Sequence, residues 1–87
     1  MALIVKKFGG SSVATTDKIL AVANRILSEK KSDDKIVVVV SAMGKTTDNL
    51  IALAGGIDTE PYKTGYAREM DMLLTTGEQV SIALLAM

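Results

Sequence analysis

Two kinds of hydrophobic spacing alternate along these 87 residues. Leu3-Ile4-Val5, followed by Phe8, is a short apolar run that predicts a strand over residues 2–8. Ile19, Val22, Ala23, Ile26 and Leu27 then recur at helical intervals, with Asn24, Arg25, Glu29 and Lys30 on the other side. Thr15, Thr16 and Asp17 supply N-cap and first-turn residues, and Ser32-Asp33-Asp34 ends the helix. Lys35-Ile36-Val37-Val38-Val39-Val40 is β-branched and does not alternate, the pattern of a strand covered on both faces. Strand, helix and strand make a βαβ unit, so the two strands are expected to run parallel with a right-handed crossover.

Thr46, Thr47 and Asp48 are placed to cap a second helix through Leu50, Ile51, Leu53 and Ala54, which Gly55-Gly56 stops. Residues 56–66 carry Gly56, Pro61 and Gly65 and no period, and are expected to form an exposed, mobile loop. Helical spacing restarts near Ala67 with Met70, Leu73 and Leu74. It is expected to break at Thr75-Thr76-Gly77 and to resume from Glu78 through Val80, Ile82, Ala83, Leu84 and Leu85. Met87 then falls inside an apolar pattern with no stop signal. Two strands are also too few for a doubly wound sheet. The chain is therefore expected to be part of a longer protein.

Composition narrows the chemistry. Hydrophobic residues make up 48%, which indicates a folded chain, but aromatics are only 3%, so there is no stacking platform for single-stranded nucleic acid. Ten basic residues balance ten acidic ones, and no broad field favours nucleic acid or an anionic membrane. There is no cysteine and no histidine. Disulfides, thiolate metal sites, Ser-His-Asp chemistry and imidazole catalysis are thus outside what this chain can do alone. Apolar runs such as Ile36 to Val40 and Ile82 to Met87 are far below membrane-spanning length, and the N-terminus does not read as a signal peptide. A cytoplasmic location is expected.

The candidate chemistry lies in two loops. Lys6-Lys7-Phe8-Gly9-Gly10-Ser11-Ser12 hands a strand over to a helix through two glycines, leaving backbone N–H groups open to an anion with lysine nearby. The same turn would also serve simply to relieve steric strain. Ser41-Ala42-Met43-Gly44 leaves the second strand from the same carboxyl edge, where ligands of open parallel sheets gather, so both loops should face one crevice. Gly44-Lys45-Thr46 suggests a P-loop, but Val39 stands where its first glycine is required. A dinucleotide fingerprint starting at Gly9 fails at Ser11 and Ala14. Ser41 and Thr47 suit turn and N-cap positions as well as ligand contacts. Glu78, expected at a helix start, suits the helix dipole as well as a ligand amine.

In combination these segments resemble the aspartate kinases. Lys7-Phe8-Gly9-Gly10-Ser11-Ser12-Val13 looks like that family's opening motif. Val38-Val39-Val40-Ser41-Ala42-Met43-Gly44 with Thr46-Thr47-Asp48 resembles its second loop. Arg68-Glu69-Met70-Asp71 and Thr76-Gly77-Glu78-Gln79-Val80 resemble its third block, and the resemblance spans nearly the whole chain. It implies the amino-acid kinase fold, a three-layer α/β/α sandwich, and an N-terminal part of it over residues 1–87. The nucleotide-site half and the ACT regulatory domains would lie elsewhere. It implies transfer of the γ-phosphoryl group of ATP, with Mg2+, to the β-carboxylate of L-aspartate, and a homo-oligomeric full-length enzyme. Lys7 would act on the moving phosphoryl group. Phe8, Gly9 and Gly10 would join it in binding ATP, and Ser41, Thr47 and Glu78 would hold aspartate. Lys6 would point away, since neighbours on a strand face opposite sides. Two rivals remain: another kinase of the superfamily, acting on glutamate, acetylglutamate or a nucleoside monophosphate, or a non-catalytic α/β interaction module.

Overall fold

Strand β1 (Leu3–Phe8) pairs in parallel with β2 (Lys35–Val40), in a register running from Leu3 opposite Lys35 to Phe8 opposite Val40. These elements belong to a computed structural model that describes residues 2–87. Helix α1 (Thr16–Glu29) connects the strands, completing the expected βαβ unit. Its start follows the sequence chemistry: Thr15 is extended and its Oγ1 accepts from the Lys18 N–H at 3.2 Å, with Asp17 in the first turn. After Lys30 the chain turns tightly. The Lys31 N–H donates to Asp34 Oδ2 at 3.0 Å, which accounts for a buried aspartate at a helix-to-strand corner.

The sheet is covered on one face only. Val13, Ile19 and Val22 form a buried cluster, and Phe8, Val40, Met43, Leu84 and Leu85 pack against it. On the other face Leu3, Val5, Val37 and Val39 are 69, 66, 49 and 46% exposed, so the expectation of a β2 strand covered on both faces is not met within this chain. The physical reason is that α1 and the last helix both lie over the Phe8 and Val40 side. The radius of gyration is 15.8 Å. A self-contained domain of this length would have about 12 Å. These residues therefore form a layered segment with open apolar faces.

Helix α2 (Thr46–Gly55) begins after Lys45, which makes no side-chain cap; Thr46 is the first helical residue, and Asp48 lies in the first turn. It ends at Gly56 in a right-handed turn (φ −71°), with the Gly56 N–H donating to the Leu53 carbonyl at 3.2 Å. The left-handed glycine stop is thus not used. The segment expected to be a structureless loop contains a one-turn helix, α3 (Pro61–Thr64). Its two breakers are its boundaries: Pro61 occupies the first helical position and Gly65 caps the end at φ +97°.

The expected break at Thr75-Thr76-Gly77 does not occur. Helix α4 runs unbroken over Ala67–Ala86 and packs against α1, α2 and β2. Thr75 Oγ1 and Thr76 Oγ1 donate to the carbonyls of Met72 and Leu73 at 2.9 and 2.7 Å, so both hydroxyls are satisfied inside the helix. Glu78 therefore lies in mid-helix, not at a helix start. Among the described residues no helix is long and apolar enough to cross a membrane.

Candidate active site

The carboxyl ends of β1 and β2 meet as expected. The Ser41 N–H donates to the Phe8 carbonyl at 3.1 Å, and the Gly44 N–H to the Gly10 carbonyl at 3.0 Å. Between them, Gly9 is extended and Gly10–Val13 forms a 3-10 turn closed by the Ser12 N–H on the Gly9 carbonyl at 3.1 Å. Lys18 ties this turn to α1 by donating from Nζ to the Ser11 carbonyl at 3.2 Å.

The two adjacent glycines differ in what surrounds them. A Cβ on Gly10 would lie 2.9 Å from the Ala42 carbonyl oxygen and 3.2 Å from that of Gly44, so only glycine lets the loops close on each other. A Cβ on Gly9 would meet nothing within 4 Å. Its open side is where a ligand could approach the backbone. Gly44 holds φ +49°, which the bend into α2 requires.

The third block reaches the same place through Gly77. This glycine is buried, and a Cβ on it would lie 2.9 Å from Thr46 Cγ2, 3.1 Å from Ala42 Cβ and 3.4 Å from Leu50 Cδ1. Ala42 thus lies close to both glycines, its carbonyl oxygen toward Gly10 and its Cβ toward Gly77. Each residue predicted to hold aspartate is next in sequence to this contact: Ser41 beside Ala42, Thr47 beside Thr46, Glu78 beside Gly77. Ser41 and Thr47 are half-buried and Glu78 is exposed. Among the described residues no hydrogen bond joins the side chains of Lys7, Ser41, Thr47 and Glu78. Sequence reading missed Ala42 altogether and took Gly77 for a break. A small residue on the buried face of a long helical pattern was the available signal.

The two lysines separate as expected. Lys6 lies on the α1 side and forms an ion pair with Glu29, which also accepts from Arg25 Nε at 3.1 Å. The hydrogen bond from Lys6, and then that from Arg25, hold the Glu29 carboxyl below its ordinary range. Lys7 is exposed on the opposite face, in register with Val39. A cleft of about 350 Å³ beside the loop is lined by Lys6, Lys7, Phe8, Ser12 and Arg25, of which Lys6 and Arg25 are paired with Glu29. A larger groove of about 450 Å³ between α1, β2 and the end of α4 is lined by apolar residues such as Ile26, Val38 and Leu85 and offers no convergent polar groups. Among the described residues no three Asp, Glu, His or Cys side chains converge on a metal-sized site.

A parallel βαβ unit with a glycine turn abutting a second loop at one carboxyl edge defines an α/β segment, and comparison gives its family. The chain belongs to the amino acid kinase family, whose sequence model matches residues 2–87. Across all 87 residues it is 63% identical to an aspartokinase of Bacillus sp. (strain MGA3), 60% to one of Geobacillus stearothermophilus and 58% to aspartokinase 2 of Bacillus subtilis (strain 168). It spans 20% of the length of each of these curated relatives. The crystal structure of aspartate kinase from Synechocystis superposes on 97% of this chain, and on 14% of that one, with a TM-score of 0.86 and 58% identity. The resemblance read from the three blocks therefore extends over the chain in sequence and in fold.

Proposed function

We propose that the protein carrying this chain transfers the γ-phosphoryl group of ATP to the β-carboxylate of L-aspartate, giving 4-phospho-L-aspartate and ADP. The observation that carries this reading is the convergence on Ala42, which gathers the Gly9-Gly10 loop, the Ser41 loop and the Glu78 helix about one sheet edge. The names of the relatives support the acceptor. A carboxylate oxygen of aspartate attacks the γ-phosphorus, the bond to the β-phosphate oxygen breaks, and its electron pair leaves on ADP. Such a transfer needs positioning and charge stabilisation more than covalent help. Lys7 supplies positive charge to the moving group. Phe8 and Gly10 flank the phosphates, and Gly9 lets them approach the backbone. Ser41 lies at the junction of phosphate and acceptor, while Thr47 and Glu78 hold aspartate, with Glu78 toward its ammonium. Magnesium would enter with ATP as part of the substrate and would offset the charge of its phosphates.

The reaction would open the route to lysine, threonine and methionine, in the cytoplasm and in a homo-oligomeric enzyme. The adenine-binding half and ACT domains would lie outside these 87 residues, so the isolated chain is expected not to turn over. The test is ADP release by the full-length protein, with trapping of the acyl phosphate by hydroxylamine. L-Aspartate should be phosphorylated, and L-glutamate, N-acetylglutamate and UMP should not. Turnover of one of those three in its place, or of none, overturns the reading. Glu78→Gln should mainly raise the KM for aspartate; an unchanged aspartate dependence removes Glu78 from the substrate site.

A further inference from the structure

We propose that Gly77 is a positioning residue that sets the distance between the Glu78 helix and the Ser41–Thr47 loop, and through it the affinity for the amino-acid acceptor. The inference rests on the aspartate-kinase reading above. Gly77 sits in the middle of an unbroken 20-residue helix, where glycine is disfavoured by about 1 kcal/mol relative to alanine. Backbone freedom does not explain it there, because it adopts no positive φ. Contact does. The space that its Cβ would fill is occupied by Thr46 Cγ2 at 2.9 Å and Ala42 Cβ at 3.1 Å.

Neither neighbour retreats without moving the site. Ala42 is 3% exposed, and its carbonyl oxygen bears on Gly10, where an added Cβ would lie only 2.9 Å away. A shift of Ala42 therefore disturbs its packing on the Gly9-Gly10 loop. Thr46 is the first residue of α2, directly before Thr47. A methyl at position 77 must thus push α4 outward or turn the start of α2. Either change alters where Glu78 stands relative to Ser41 and Thr47, because a close-packed contact transmits displacement. The phosphate side is spared as long as Ala42 keeps its place, because neither Lys7 nor Gly9 is among the groups that a Cβ on Gly77 would meet. Displacements on the order of 1 Å at a binding constellation change kinetic constants by about a hundredfold.

The experiment is steady-state kinetics of full-length Gly77→Ala. The expected result is a rise of roughly 10- to 100-fold in the KM for aspartate, with the KM for ATP within about threefold of wild type. Thr46→Ser removes the Cγ2 methyl and keeps the hydroxyl, so the double variant should recover at least half of the aspartate effect on a logarithmic scale. Equal rises in both KM values, no rise, or no recovery with Thr46→Ser overturns the proposal. If Gly77→Ala does not yield folded enzyme, the double variant carries the test alone. It keeps the Ala42 contact and should raise the aspartate KM by about three- to tenfold with ATP unmoved; anything else counts against the role. The wild-type assay separates the two levels. A wild-type enzyme that does not use aspartate removes the underlying reading and this inference with it. A wild-type enzyme that does, with an unselective Gly77→Ala, removes this inference only.

Discussion

The Lys6 ammonium is bound to the Glu29 carboxylate across the interface between β1 and α1, while its neighbour Lys7 stands exposed on the other face of the strand. Two adjacent lysines of one motif thus have different surroundings, decided by strand alternation and by what each face meets. Lys6→Ala should cost at most about 1 kcal/mol of stability, as for a surface ion pair, and leave kcat within about threefold. Lys7→Ala should leave stability unchanged and lower kcat by roughly two to four orders of magnitude. Urea denaturation and steady-state kinetics on both variants of the full-length enzyme check this; a reversed pattern would exchange the two assignments.

The same ion pair predicts a pH dependence. Lys6 and then Arg25 hold the Glu29 carboxyl below its ordinary value of 4.5 in the folded chain. A depressed carboxylate contributes stability that is present above the unfolded value and is lost as pH falls through the folded one. Wild type should therefore exceed Glu29→Gln in stability at neutral pH, and the gap should narrow as pH drops below 4.5. Glu29 is exposed and Lys6 half-buried, so added salt should narrow the gap in part. A gap that stays constant from about pH 7 to pH 3 would show that the carboxylate contributes by packing alone.

The neighbouring glycines of the first loop should respond oppositely to a methyl. Gly10→Ala forces a Cβ to 2.9 Å from the Ala42 carbonyl oxygen, a backbone atom that yields little, and should cost about 1–3 kcal/mol. Gly9→Ala places its methyl in open space at φ −75°, which any residue adopts. It should be neutral in stability but, on the function proposed above, raise the KM for ATP, because the methyl would fill the open side assigned to the phosphates. Denaturation midpoints and ATP titrations decide; a stability loss at Gly9 larger than that at Gly10 refutes the distinction.

Much of this arrangement was legible because local rules and tertiary packing agree. The β-branched run at Ile36 to Val40, the Thr15 cap and the placing of two loops at one carboxyl edge required only period, cap chemistry and the geometry of parallel strands. What escaped had a shared cause: glycine and proline were read as interruptions. Pro61 and Gly65 bound a helical turn. Gly77 lies inside a helix because Thr46 and Ala42 occupy the room of its side chain, a contact between positions more than 30 residues apart that no local pattern encodes. Ala42 escaped for the same reason, since its importance lies in what presses on it from Gly10 and Gly77. The strand expected to be covered twice is covered once, because β-branching reports a strand's preference for burial and not which segment supplies the cover.

Ser81 carries the last prediction. It is 1% exposed on α4, and its hydroxyl has no hydrogen-bond partner among the described residues. A buried, unpaired hydroxyl costs about 1–3 kcal/mol of lost hydration, whereas its removal in alanine leaves only a small void. Alanine also has the higher helix propensity, by a few tenths of a kcal/mol. Ser81→Ala should therefore stabilise the full-length protein by up to about 1 kcal/mol, measured as a raised urea midpoint with an unchanged m-value. A loss of more than about 1 kcal/mol would mean that the hydroxyl is satisfied in the full-length protein. Its partner would then be an ordered water or a helix carbonyl one turn back, since the hydroxyl is already enclosed by these residues.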